Sequence, residues 1–207
     1  MDEIEGLFPV PLLHAHGALE PALVTALAGQ IADAHAKVNA RSDQLSHTAI
    51  VRPGANDLYR QFAQVAGPKI VEFGALLFGD RLRWAIKEMW TNVLEQGGSQ
   101  SLHSHANSFV SGIVFLTPSH PSAHTVFVRN PGGSEFTFRH NTRSSEIGPF
   151  NAGKYVIPTI EPGDMLLFPS YLLHEVPRNQ GGQRISLAFN AIPDRLDSWG
   201  YSVSFGP

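Results

Sequence analysis

The chain has 207 residues, 43% of them hydrophobic and only 16% charged, enough apolar material for a sizeable core, and no shift in composition separates domains; we expect one domain over residues 1–207. A formal net charge of −3 and a pI near 6.3 give no electrostatic reason to expect nucleic acid or an anionic membrane surface. The absence of cysteine excludes disulfides, thiolate metal sites and a cysteine nucleophile and agrees with a cytoplasmic location, while the acidic start "MDEIEGLFPVPLL" lacks the basic region and unbroken apolar core of a signal peptide.

In chain order, the part up to residue 79 reads mainly helical. "LEPALVTALAGQIADAHAKVNA" puts Leu23, Leu27, Ile31, Ala34 and Val38 on one face, the pattern of an amphipathic helix. A second helix begins at a capping Asn56 or Asp57 and continues through Leu58, Phe62 and Val65, with Pro68 expected to kink or split it. From residue 80 to 192 the period changes to two. "RLRWAIKEMWTNVL" alternates Leu82, Trp84, Ile86, Glu88, Trp90, Asn92 and Leu94 on one face. The runs "FVSGIVFLT", "HTVFVRN", "SEFTFRH", "KYVIPTI", "DMLLFPS" and "RISLAFNAI" follow, separated by turn residues. Many short strands without crossover helices predict a mostly β fold, an antiparallel sandwich or jelly roll, with the N-terminal helices packed outside.

Two His-x-His pairs occur. His14 and His16 stand ahead of a helix and read as surface or linker histidines. His103 and His105 follow a Gly-rich loop, and residues i and i+2 of a strand share a face, so both can reach one metal ion. Taken alone, the second pair reads more readily as two hydrogen-bonded strand histidines; a third ligand changes that balance, and His174 on an apolar run is the candidate. On the next run Arg184 and Ser186 share one face, which buries a guanidinium where no carboxylate is obviously placed to meet it. One reading gives His174 a metal and Arg184 the far carboxylate of a small dicarboxylate chelating that metal. The other gives Arg184 a salt bridge to Glu88 or Asp164.

The stretches "WTNVLEQGGSQSLHSHANSFVSGIVFL" and "PGDMLLFPSYLLHEVPRNQGGQRISLAFN" resemble the Fe(II)/2-oxoglutarate-dependent oxygenase superfamily, in its bacterial and phage branch of 2OG-Fe(II) oxygenases, with weaker agreement in "LFPVPLL". The resemblance implies a double-stranded β-helix with Fe(II) at one open end and 2-oxoglutarate as cosubstrate. His103 falls on the proximal ligand and His174 on the distal one. Arg184 and Ser186 fall on the Arg-x-Ser that binds the distal carboxylate of 2-oxoglutarate, and Asn92 looks like a further polar contact. Position 105 departs from the family pattern, where a carboxylate is usual. Either His103, His105 and His174 hold the iron, which we prefer, or Glu88 or Glu95 completes the set.

The implied activity couples decarboxylation of 2-oxoglutarate to hydroxylation of a small-molecule or side-chain substrate, in a cavity that Trp90, Phe115, Phe127 and Phe168 could line. Arg129, Arg139 and Arg143 hint at an anionic group on that substrate, although solvated loop charges explain them as well. Neither a nucleic-acid nor a membrane partner is expected, and a homodimer is compatible with the sequence. The alternatives are a cupin-type three-histidine metal protein, which would have no use for Arg184, and a non-catalytic β-sandwich binding module.

Overall fold

The computed structural model describes residues 3–30, 37–38, 42–129 and 142–206. Helix α1, Pro21–Gly29, buries Val24 and Leu27. It ends well before the predicted limit: Lys37–Val38 forms a short strand, β2, against the next one, and Ile31 and Ala34 lie outside the described residues. Helix α2, Asp57–Phe78, starts as expected at Asn56, whose side-chain oxygen accepts the Tyr59 amide proton at 2.8 Å. Pro68 does not split it. The carbonyl that Pro68 deprives of a donor belongs to the exposed Gln64, where water can serve it. Meanwhile Tyr59, Phe62, Ala66, Ile70 and Phe73 bury a continuous face that holds the helix from both sides of the proline.

The strands are β1 (Leu13–Ala15), β3 (Ser42–His47), β4 (Trp84–His103), β5 (Val110–Phe115), β6 (Val126–Val128), β7 (Lys154–Val156), β8 (Met165–Pro169), β9 (His174–Val176) and β10 (Arg184–Pro193), followed by a separate hairpin of β11 (Arg195–Ser198) and β12 (Tyr201–Ser204). Their pairing is antiparallel in the order β1-β8-β5-β10-β4-β9-β6-β7, with β3 also on β4 and β2 on β3. Among the described residues the first 79 positions therefore contribute three strands as well as the two α-helices, and the predicted run "SEFTFRH" lies outside the described residues.

The twenty-residue strand β4 organises the curl of this jelly roll. One edge pairs with β3; along the other lie β10, opposite Trp84 to Leu94, and then β9, opposite Gln100 and His103. β9 and β10 are thus collinear, and the sheet bends between them. At the bend Gly97 takes φ 83°, open to glycine without strain. Asn179 ties the corner: its amide donates to the Gly98 carbonyl at 2.8 Å and its carbonyl accepts from Gly97 at 2.7 Å. Its side chain donates to the carbonyls of Gly182 at 2.8 Å and Glu95 at 3.2 Å and accepts the Gly181 amide at 2.9 Å.

The alternation predicted from Leu82 to Leu94 breaks once. Asn190 pairs with Glu88 and Ala191 with Ile86, so Lys87 is the extra residue of a bulge. A bulge exchanges the faces. Trp84, Ile86 and Met89 consequently pack towards α2, whereas Glu88, Trp90 and Asn92 face the interior of the curl.

Candidate metal centre

The register of the sheet explains why the three histidines meet. His103, the last residue of β4, is paired directly with His174, the first of β9, and the chain from β4 turns back so that the His105 amide donates to the Ser170 carbonyl at 2.9 Å. Ring centroids lie 4.2 Å apart for His103 and His174, 5.1 Å for His105 and His174, and 5.2 Å for His103 and His105. One nitrogen of each lies within 4.8 Å of the others. Three imidazole nitrogens converging in this way match the donor set of a shared cation.

The protonation pattern suits that role. The His174 Nδ1 proton is donated to the Leu172 carbonyl at 2.9 Å and that of His103 to the Ser101 carbonyl at 2.8 Å. Since a carbonyl only accepts, each ring presents Nε2 as its lone-pair nitrogen. Burial, helped by the neighbouring His103, pushes His174 down to about 3 and His105 down to about 4. Both rings are therefore neutral at ordinary pH, the form a metal requires.

Of the two carboxylates considered as a substitute ligand, neither joins the cluster among the described residues. Glu88 accepts from the Asn190 side-chain amide at 2.8 Å and meets Lys87 Nζ at 3.3 Å; Glu95 is exposed and accepts from Gln183 at 2.8 Å. Glu88 does line the outer mouth of the site beside Trp90, and its charge works to raise the His105 pKa against the stronger effect of burial.

Behind the histidines a narrow cavity runs to Arg184, lined also by Asn92, Thr125 and Ser186. Arg184 is 3% exposed and lies with its guanidinium carbon 5.1 Å from the centre of the Phe115 ring. Its Nη1 donates to Ser186 Oγ at 3.3 Å, while Nε has no hydrogen-bond partner among the described residues. The salt bridge to Glu88 or Asp164 is absent: Glu88 is engaged as above, and Asp164 is held by His14 and two backbone amides. Burial pulls the Arg184 pKa down to about 10, which still leaves a cation at neutral pH. Asn92 Oδ1 and Thr125 Oγ1 are likewise buried without partners among the described residues. An unpaired buried polar atom costs about 1–3 kcal/mol, and three around one cavity mark a place for a polar ligand.

Of the aromatics expected to line the cavity, Trp90 does so. Phe115, Phe127 and Phe168 instead form its supporting wall, a buried cluster in which Phe168 sits edge-on to His174 with centroids 4.9 Å apart. Arg129 donates to the Phe150 carbonyl at 3.3 Å, Arg143 is exposed, and Arg139 lies outside the described residues. Thr125 and Gln100 escaped the sequence reading, though the alternation of "HTVFVRN" places Thr125 opposite the buried Val126 and on the side of Phe127. Of His14 and His16, expected to be surface or linker histidines, His16 is exposed as expected, whereas His14 is half-buried and hydrogen-bonded to Asp164.

The family described as "Putative 2OG-Fe(II) oxygenase" matches residues 88–190, the stretch that carries all of the candidate residues. No curated protein matches the chain. Among solved structures, HygX from Streptomyces hygroscopicus, with nickel, 2-oxoglutarate and hygromycin B bound, is 14% identical over 89% of this chain and 83% of its own, with a TM-score of 0.62. The carbocyclase SnoK from nogalamycin biosynthesis is 14% identical over 90% and 81%, with a TM-score of 0.64. A Pseudomonas putida prolyl-4-hydroxylase is 17% identical over 87% and 92%, with a TM-score of 0.57. Such identities carry the fold.

Proposed function

Residues 88–190 belong to the 2OG-Fe(II) oxygenase family, and from that premise we propose that this chain is an Fe(II)- and 2-oxoglutarate-dependent oxygenase acting by hydroxylation on a small-molecule or side-chain substrate. His103, His105 and His174 would hold the metal. Arg184 and Ser186 would receive the distal carboxylate of 2-oxoglutarate, and Asn92 would donate its amide or offer its unpaired oxygen to the same ligand or to the substrate. The observation that carries the reading is the buried guanidinium of Arg184, with no carboxylate beside it among the described residues, at the closed end of a cavity whose open end is three imidazoles.

The metal and cosubstrate, when bound, supply the oxygen activation and substrate oxidation that side chains cannot. The chain's own contribution is placement. Arg184 offers a planar fork that matches a carboxylate in two parallel hydrogen bonds, and its rigid burial fixes how far the other end of a five-carbon diacid reaches towards the histidines. Ser186 steadies one arm of that fork. The aromatic wall excludes water, which strengthens each charge-assisted bond inside. Three imidazole ligands would leave a metal one charge more positive than two histidines and a carboxylate would, which would favour an anionic chelator.

Under anaerobic conditions, Fe(II)-loaded protein is expected to develop a visible charge-transfer band on adding 2-oxoglutarate and, once oxygen is admitted, to release succinate. Arg184→Met should bind iron normally and lose the band at the same cosubstrate concentration. Equal bands and equal succinate from the two proteins would overturn the assignment.

A further inference from the structure

We infer that His14, His16 and Asp164 form a second site for a divalent transition-metal ion, at the edge of the sheet and separate from the three-histidine cluster. β1 is an edge strand whose His14 lies opposite Leu166 of β8. That pairing carries His14 and His16 past the turn that precedes β8, where Asp164 is 3% exposed. His14 Nε2 lies 2.8 Å from Asp164 Oδ2, and His16 Nδ1 lies 3.7 Å from the same oxygen. The two imidazole centroids are only 3.8 Å apart, and all three donor atoms fall within 4.8 Å of one another.

A hydrogen bond from His14 to Asp164 accounts for one of these rings and leaves the other unexplained. His16 is 76% exposed, makes no hydrogen bond among the described residues, and has its nitrogen beyond hydrogen-bonding distance of the oxygen it approaches. Around a tetrahedral ion with bonds of about 2.0–2.2 Å to nitrogen and oxygen, neighbouring donors stand about 3.3 Å apart. The observed 2.8 and 3.7 Å bracket that spacing; an ion entering here would displace the proton that His14 Nε2 donates to Asp164, widen that pair and draw in the exposed His16 ring.

The carboxylate is already positioned for the purpose. Burial opposes its charge, yet the Gly17 amide, the His14 ring and the Glu161 amide together hold the Asp164 carboxyl below the usual range. Two imidazoles and one carboxylate select a borderline ion such as zinc or nickel over magnesium or calcium, which prefer all-oxygen shells. Both histidines line a groove of about 750 Å³ that also includes Leu12, Tyr155 and Thr159, so the remaining coordination position opens to water or to a ligand's donor atom. An ion here would clip the short edge strand β1 to the turn before β8.

Zinc titration of the full chain against a chromophoric competitor, with metal content read after dialysis, tests the site. Wild type is expected to bind two equivalents, and His16→Ala, a change at an exposed side chain, one, with the second affinity weakened at least about 100-fold, beyond the usual cost of losing an outer partner. A His103→Ala/His174→Ala double variant is expected to retain one equivalent that disappears when His16→Ala is added. His16→Ala should leave succinate formation unchanged and should remove the rise in thermal midpoint that zinc gives the double variant. Binding of as many equivalents by His16→Ala as by wild type, or of none by wild type, overturns the inference. Loss of the His16-dependent equivalent with no metal at the other cluster would uphold it and overturn the proposed function instead.

Discussion

Strand β10 has two sides with opposite fates. Ile185, Leu187, Phe189 and Ala191 enter the core under the helices, where Phe189 meets Phe62 edge to face with centroids 5.2 Å apart. Arg184, Ser186, Ala188 and Asn190 turn the other way, into the curl. On the first side every residue finds its complement within the chain: a Cβ on Gly112 would stand 2.1 Å from the Phe189 ring, so that ring uses all the space a glycine leaves. On the second side the protein stops short of satisfying itself, since Arg184 Nε and, across on β4, Asn92 Oδ1 remain without partners among the described residues. The contrast separates residues retained for stability from residues that stability alone would replace.

The largest effect that sharpens this contrast is expected on the interior side. His174→Ala should abolish tight Fe(II) binding and with it succinate formation, by about 10³-fold or more, while the denaturant midpoint of the metal-free protein falls little. On the helix side, Phe189→Ala should cost about 3–5 kcal/mol of unfolding free energy through the cavity it leaves, with metal stoichiometry retained in whatever fraction stays folded. Arg184→Met should separate the two properties again: cosubstrate affinity falls about 100-fold by equilibrium titration, while chemical denaturation shows no loss of stability, because an unpaired buried charge has been removed. A stability loss as large as that of Phe189→Ala would break the division between the faces.

Acid acts on the interior side as well. The folded protein holds His174 at about 3 and His105 at about 4, whereas the unfolded chain protonates them near 6.5. The unfolded state thus binds more protons as the pH drops below about 6.5, so the stability of the metal-free protein should decline from there towards pH 3. His174→Phe should flatten this decline in denaturation curves taken across that window. The smallest effect concerns the helix start: Asn56→Ala should lower stability by about 1 kcal/mol and leave both metal and cosubstrate binding untouched.

Much of this was legible from residue order. The cap at Asn56, the shared face of Arg184 and Ser186, and the buried run from Met165 to Phe168 all follow from local periodicity and side-chain chemistry. The bulge at Lys87 was not, because the extra residue is defined only against β10, a strand about a hundred positions away. The corner tied by Asn179 was equally hidden: an Asn in a Gly-rich turn is common, and the bonds to Glu95 and Gly98 that make this one structural cross the sheet. For the same reason His14 could not be distinguished from a surface histidine, since its partner Asp164 lies 150 positions along the chain.

Residue order alone settled that Arg184 and Ser186 share a face and that this cation would be costly to bury, because strand parity within an unbroken run and desolvation act locally. Whether three imidazoles converge, whether the guanidinium finds a carboxylate in the chain, and which histidines are near an aspartate were decided only when β9 and β10 lined up along one edge of β4 and β1 docked on β8. Those are facts of long-range register, in which each contact depends on pairings that no single segment contains.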